Sequence, residues 1–270
     1  MARVQLDPTL DMYYEDDNFT DPWTTPEVVL LQHGMAESGQ VWWRWVPHLA
    51  QRYRVIRPDF RGLGRSSTPP PDYEIDAAGL TDDLARLLDH LGVERVHYVG
   101  AKVGGTLGTV FVHRFPERVR SFTTLGTPFR YTYPDAVYGD WAELVGREGM
   151  RAWAESTMGS RLGEEVSREM YDWWIDLMGR TDAATAVRLF NYVKTVDLEP
   201  VMPLIQTPTL VVTAAGSRQS SLDRTLGWFR LFPNARLAVL PNDSYHVAAT
   251  HPDECRTIVT QFLSGVERTA

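Results

Sequence analysis

Gly100-Ala101-Lys102-Val103-Gly104 sets a lysine between two glycines, where the β-rich run 95–99 gives way to a helical pattern. Such a frame marks a sharp strand-to-helix turn that pushes its middle side chain outward. An amine so placed has two chemistries. Neutral, it attacks a carbonyl carbon, giving a Schiff base with a ketone or an amide with an ester. The amide is a dead end, so productive covalent chemistry points to ketones or β-dicarbonyls. Charged, it clamps a substrate oxygen or carboxylate. A helix opening at Val103 points its positive end at residue 102 and disfavours the ammonium ion. Burial acts the same way, lowering the amine from about 10.4. Glu37, in His33-Gly34-Met35-Ala36-Glu37-Ser38, opposes both: an ion pair with Lys102 would hold the cation. A solvated loop charge is the plainer reading of Glu37.

Two late histidines, His246 and His251, offer an imidazole for acid/base work. His246 ends Leu240-Pro241-Asn242-Asp243-Ser244-Tyr245-His246 and precedes an amphipathic helical pattern. His251 lies nearby and is followed by Pro252-Asp253-Glu254, which opens a helix. Of the acids nearest in sequence, Asp223 reads as a solvent-facing helix start and Asp243 as a local partner for His246. No His/Cys/Asp/Glu cluster has metal-ligand spacing, and no dinucleotide fingerprint is present. Asp59-Phe60-Arg61-Gly62-Leu63-Gly64-Arg65-Ser66 lacks the lysine of a phosphate loop. No cofactor and no metal are expected.

The elements that must position these groups follow from the apolar runs 28–32, 54–59, 95–99, 119–125, 209–213 and 235–240. They alternate with helical patterns near 41–51, 77–91, 103–114, 221–231 and 247–264. Such alternation predicts an α/β fold with a mostly parallel sheet and helices on both faces. Met12-Tyr13-Tyr14-Glu15 suggests an edge hairpin, and Thr68-Pro69-Pro70-Pro71-Asp72 a stiff loop. From 128 to 202 the strand rhythm stops. This helical stretch carries Trp141, Trp153, Trp173, Trp174, Tyr131, Tyr133, Tyr138, Tyr171, Phe190 and Tyr192, most of them expected to be packing. Placed over a site, it would favour an apolar or aromatic neutral ligand.

At 270 residues with 43% hydrophobic content, the chain suits one α/β domain with an insertion. A net charge of −8 argues against a nucleic-acid or anionic-membrane surface. No apolar run approaches the ~18 residues needed to span a bilayer. The N-terminus lacks the apolar core of a signal peptide, and the one cysteine, Cys255, excludes an internal disulfide. A cytoplasmic setting is expected, with a homo-oligomer left open.

In order and motif the chain resembles the α/β-hydrolase superfamily over nearly its whole length. The strand-end His33-Gly34, the D-x-R-G-x-G-x-S loop at 59–66, the elbow at 102 and the late His246 carry the likeness. It implies an α/β-hydrolase core at 1–128 and 203–270. It also implies a helical cap at 129–202, inserted after the sixth strand. By resemblance, the main-chain N–H groups of Met35 and Val103 form an oxyanion hole, and an aspartate is expected near Ser217. Here position 102 is lysine and position 217 serine, so the nucleophile and the acid differ together. The expected activity is cofactor-free hydrolysis of an apolar or aromatic ester, lactone or activated C–C bond. Lys102 is central to it, His246 is the acid/base, and Glu37, Ser217 and Asp243 are candidate supports. The alternatives are a lysine Schiff-base lyase or isomerase acting on a ketone or β-dicarbonyl, and a silent ligand-binding relative or Ser-to-Lys variant.

Overall fold

The computed structural model describes residues 2–131 and 141–268. Tyr133 and Tyr138 lie outside the described residues. Eight strands form one sheet: β1 (Ala2–Asp7), β2 (Leu10–Asp17), β3 (Val28–Gln32), β4 (Arg54–Pro58), β5 (Val96–Ala101), β6 (Val119–Leu125), β7 (Thr209–Ala214) and β8 (Ala235–Leu240). Their spatial order is β1-β2-β4-β3-β5-β6-β7-β8. The β1–β2 hairpin joins antiparallel to β4, and β3 to β8 pair in parallel. Every residue of β3, β5 and β7 is buried, as continuous apolar runs covered on both faces should be. The edge strand β8 is buried only at Leu240.

The helices are α1 (Val46–Leu49), α2 (Ala77–His90), α3 (Val103–Arg114), α4 (Trp141–Leu162), α5 (Arg168–Gly179), α6 (Ala183–Val193), α7 (Leu222–Phe229), α8 (Val247–Thr250) and α9 (Pro252–Glu267). Among the described residues, four begin at a side chain that accepts a first-turn N–H: Asp76 for α2, Ser167 for α5, Asp182 for α6 and Ser221 for α7. Helices α4, α5 and α6 all fall between β6 and β7, where the strand pattern is interrupted.

Two predicted helices are broken. The stretch 41–51 is a 3₁₀ turn (Gly39–Trp42) followed by the four-residue α1. The stretch 247–264 divides at His251, where Pro252 removes a backbone donor and opens α9 as its first residue. Helix α4 bends at Gly149, whose φ of 83° no interior helical residue adopts.

Candidate active site

The centre forms where β5 ends. Lys102 follows the last residue of β5 and caps α3 with φ 51° and ψ −121°. Its N–H donates to Leu125 O at 2.9 Å, and its carbonyl accepts from Gly105 N at 2.9 Å. That conformation is unfavourable for a residue with a Cβ, so close packing must hold it. A Cβ on Gly104 would overlap the carbonyls of Gln32 and His33, and one on Gly100 would overlap Gly104. The two glycines let α3 lie directly against β3 and β5, and the turn has no room to relax.

The loop after β3 is fastened from the 59–66 loop. His33 lies between the two, with Nδ1 2.8 Å from Gly34 O and Nε2 accepting Phe60 N–H at 3.1 Å. Asp59 accepts Gly39 N–H at 2.6 Å and Arg65 N–H at 2.7 Å. The glycine-rich motif thus braces the turn that carries Glu37.

Glu37 is buried and faces inward. Its Oε2 accepts Gly34 N–H at 2.9 Å. Its Oε1 forms an ion pair with Lys102 Nζ and lies 3.3 Å from His246 Nε2. One carboxylate oxygen therefore joins the elbow amine to the imidazole, in addition to the predicted Lys102–Glu37 pair. Exposure is 1% for Glu37, 2% for Lys102 and 2% for His246. The Trp174 ring closes over the group, 4.5 Å from the His246 ring and 5.5 Å from Lys102 Nζ. Tyr245 lies on another side, 5.8 Å from the amine. His246 N–H and Ser244 Oγ both donate to Arg161 O, at 2.9 and 3.3 Å, which ties α4 to the histidine loop.

Burial sets the charges. It pushes the Lys102 amine down, the Glu37 charge pulls it up, and Arg161 pushes it down, to about 8. Burial lowers His246 to about 4, with the Lys102 charge acting the same way and Glu37 only partly offsetting both. Burial alone would raise Glu37; Lys102 and His246 together, through charge and direct contact, outweigh it and hold the carboxyl well below its usual range. At neutral pH the group is an ammonium, a carboxylate and a neutral imidazole.

Met35, Lys102 and Val103 line one small cavity of about 20 Å³, roofed by Tyr131, Trp141 and Phe190. Val103 is the first residue of α3, so its N–H has no partner within the helix. The sequence-derived residues Lys102, His246, Glu37, Met35 and Val103 are thus gathered in one place. Ser217 and Asp243 are not joined to the imidazole. Ser217 Oγ accepts Ser220 N–H at 3.3 Å, and Asp243 lies 3.5 Å from Arg218. Neither ring nitrogen of His246 makes a well-aligned hydrogen bond among the described residues; Nε2 approaches Glu37 Oε1 at 3.3 Å and Nδ1 meets no partner. The sequence reading did not single out Trp174 for the site. Its only signal was the Trp173-Trp174 pair in an aromatic stretch, where nothing distinguishes a lid from packing.

Away from the centre, Glu27, His97 and Glu267 come close enough to share an ion, a juxtaposition that sequence spacing does not show. His97 sits near the start of β5, at the far end from Lys102. Its two carboxylate neighbours already meet Arg120 at 3.2 Å and Arg52 at 3.5 Å.

This sheet order, with a glycine-flanked turn after β5 and a histidine after β8, defines an α/β hydrolase. The chain belongs to the α/β-hydrolase fold family, whose model matches residues 27–250. A Caulobacter protein named carbamate hydrolase RutD is 25% identical over 260 residues, covering 90% of this chain and 93% of its own. The enol-lactonase of Burkholderia xenovorans has the same fold, with a TM-score of 0.89 at 22% identity over 97% of this chain and 100% of its own. A thermophilic esterase from Thermogutta terrifontis superposes with a TM-score of 0.86 at 23% identity over 95% and 94% of the two chains. Among the described residues, no helix is long and apolar enough to cross a membrane.

Proposed function

We propose that this chain is a cofactor-independent hydrolase of a small apolar or aromatic carbonyl compound: an ester, a lactone or an activated C–C bond. Lys102 acts as a held cation, not as a covalent nucleophile. The observation carrying this reading is the Glu37 carboxylate in contact with both Lys102 and His246. A carboxylate beside an amine favours the ammonium form, which has no lone pair for attack on carbon. The ammonium and the N–H groups of Met35 and Val103 would stabilise the negative oxygen that develops on the substrate carbonyl. Neutral His246 would take a proton from the attacking water and return it to the leaving group. Glu37 is then a positioning residue, and residues 129–202 a cap that keeps bulk water out. The related carbamate hydrolase, enol-lactonase and esterase names support hydrolysis of an acyl-type bond.

A second reading has a specific basis. With Lys102 lowered to about 8, an appreciable fraction of the amine is neutral in mildly alkaline solution. That fraction could form an imine with a ketone and support lyase or isomerase chemistry. A panel of aryl esters, lactones and β-diketones separates the two. Under the held-cation mechanism, Lys102→Arg keeps measurable turnover and His246→Ala loses about 10²–10⁴-fold in kcat. Borohydride added during turnover then leaves no mass adduct on Lys102. An adduct on Lys102, with Lys102→Arg dead, would replace hydrolysis by the Schiff-base mechanism. Turnover of no member of the panel, with ligand binding intact, would leave the silent ligand-binding relative.

A further inference from the structure

The amine, carboxylate and imidazole are almost wholly enclosed, and the cavity beside them, about 20 Å³, has room for little more than one water. No ester or lactone fits there. A far larger cleft of about 800 Å³ lies on the outer side of α5, within the range of small-molecule sites. Val41, Val46 and Pro47 form one wall, Ala248 and Ala249 a second, and Met170 with Trp173 a third. Trp174 is the residue common to both regions. It lines the outer cleft, and its ring also meets His246 and faces Lys102.

We infer that the outer cleft is the binding site for the apolar part of the substrate, an alkyl chain or aromatic ring system, and that Trp174 is the specificity-determining partition between this cleft and Lys102. The assignment rests on the carbonyl-substrate reading above. The occupant follows from continuity: one indole separates a largely apolar cleft, whose lining also holds the Arg57–Glu15 ion pair, from a polar centre with room for little more than one water. A molecule with a carbonyl at one end and an apolar body at the other satisfies both. Trp173, the neighbour on α5, lines the same cleft and is 38% exposed; its ring packs edge-to-face on that of Trp174 at 5.4 Å, so it serves as a control that opens the cleft side while the Trp174 ring stays in place.

The test uses binding and labelling, neither of which needs turnover. Methyl ketones from 2-butanone to 2-undecanone are titrated calorimetrically into the full-length protein. Affinity should rise about three- to fourfold per methylene, the fold-change equivalent to ~0.8 kcal/mol per buried CH₂. Ala249→Trp, which fills the cleft, should abolish that rise for the long ketones and spare the short ones. In parallel, an apolar amine-directed reagent, 4-chloro-7-nitrobenzofurazan, is applied at pH 9 and Lys102 is followed by peptide mass. Trp174→Ala should speed labelling of Lys102 at least tenfold, and Trp173→Ala, which removes only an edge contact of the Trp174 ring, should speed it far less. Trp174→Phe serves if the alanine variant does not fold. Length-independent binding, or equal labelling of Lys102 in folded Trp174 variants and wild type, overturns the assignment. Intact length dependence and faster labelling in a protein that hydrolyses nothing on the panel would refute the hydrolase proposal and leave this one standing.

Discussion

Lys102 and His246 both meet the same oxygen of Glu37, so removing the Glu37 charge shifts the titration of both. This coupling makes pH the sharpest probe of mechanism. If the ammonium is the working form, kcat/KM falls as pH rises through about 8, the value set by burial against the Glu37 charge. If the free amine is the nucleophile, kcat/KM rises through the same region. A pH–rate profile between 6 and 10 therefore separates the two proposals by the sign of one limb. Glu37→Gln supplies the second half of the argument. Glu37 raises the Lys102 pKa, so removing its charge must shift that limb toward lower pH, by about one unit or more. A merely structural role for Glu37 would lower the rate without moving the limb. Sequence reasoning could find the Lys102–Glu37 pair because each sits at a fixed place on a loop of a known frame. It could not find the contact between Glu37 and His246, because 209 residues of chain separate them and only the sheet order brings them together. Asp243 shows the converse: three residues from His246 in sequence, it faces Arg218 instead.

Among the elements, the β5–α3 crossing leaves least freedom. Gly104→Ala would press a methyl into the carbonyls of Gln32 and His33. Both belong to the backbone of the strand end that carries the Glu37 loop, and neither can swing aside. We expect a loss of about 2–4 kcal/mol, in line with core overpacking plus backbone strain, read as a lower urea midpoint. Gly227→Ala, in helix α7, meets nothing within 4 Å. It should raise stability by about 0.4–1 kcal/mol, because alanine loses less backbone entropy in a helix. Equal effects at the two positions would mean that the elbow is not held by close packing. The elements were largely legible beforehand. Residues 28–32, 119–125 and 209–213 read as strands because uninterrupted apolar runs fit a sheet covered on both sides. What escaped was where helices break. An amphipathic period continues through His251 and Pro252, and only the missing proline N–H separates α8 from α9.

For the molecule as a whole, the centre is a stability liability whose sign can be worked out. His246 is lowered to about 4 from 6.5, so between those values the unfolded chain binds more protons than the folded one. Stability must therefore rise with pH across that window and be lost as pH falls through it. Lys102, lowered to about 8 from 10.5, acts in the same sense at the alkaline end. Its contribution is a cost below pH 8 that fades as pH climbs toward 10.5. Glu37, held below its usual range, adds stability that disappears on acidification. All three tilt the profile the same way, Lys102 and His246 because burial disfavours their charged forms, and Glu37 because its two neighbours outweigh the burial that would raise it. Desolvating a pair can exceed its Coulombic gain, whereas removing one partner strands the other. Lys102→Met and Glu37→Gln should each lower the denaturation midpoint at pH 7. The double variant should exceed the wild type by about 1–4 kcal/mol while losing turnover. Its urea midpoint, measured at pH 5, 7 and 9, should also lose the alkaline rise that Lys102 imposes. A double variant less stable than either single one would show that the pair stabilises the fold outright, and that its burial is not a concession to catalysis.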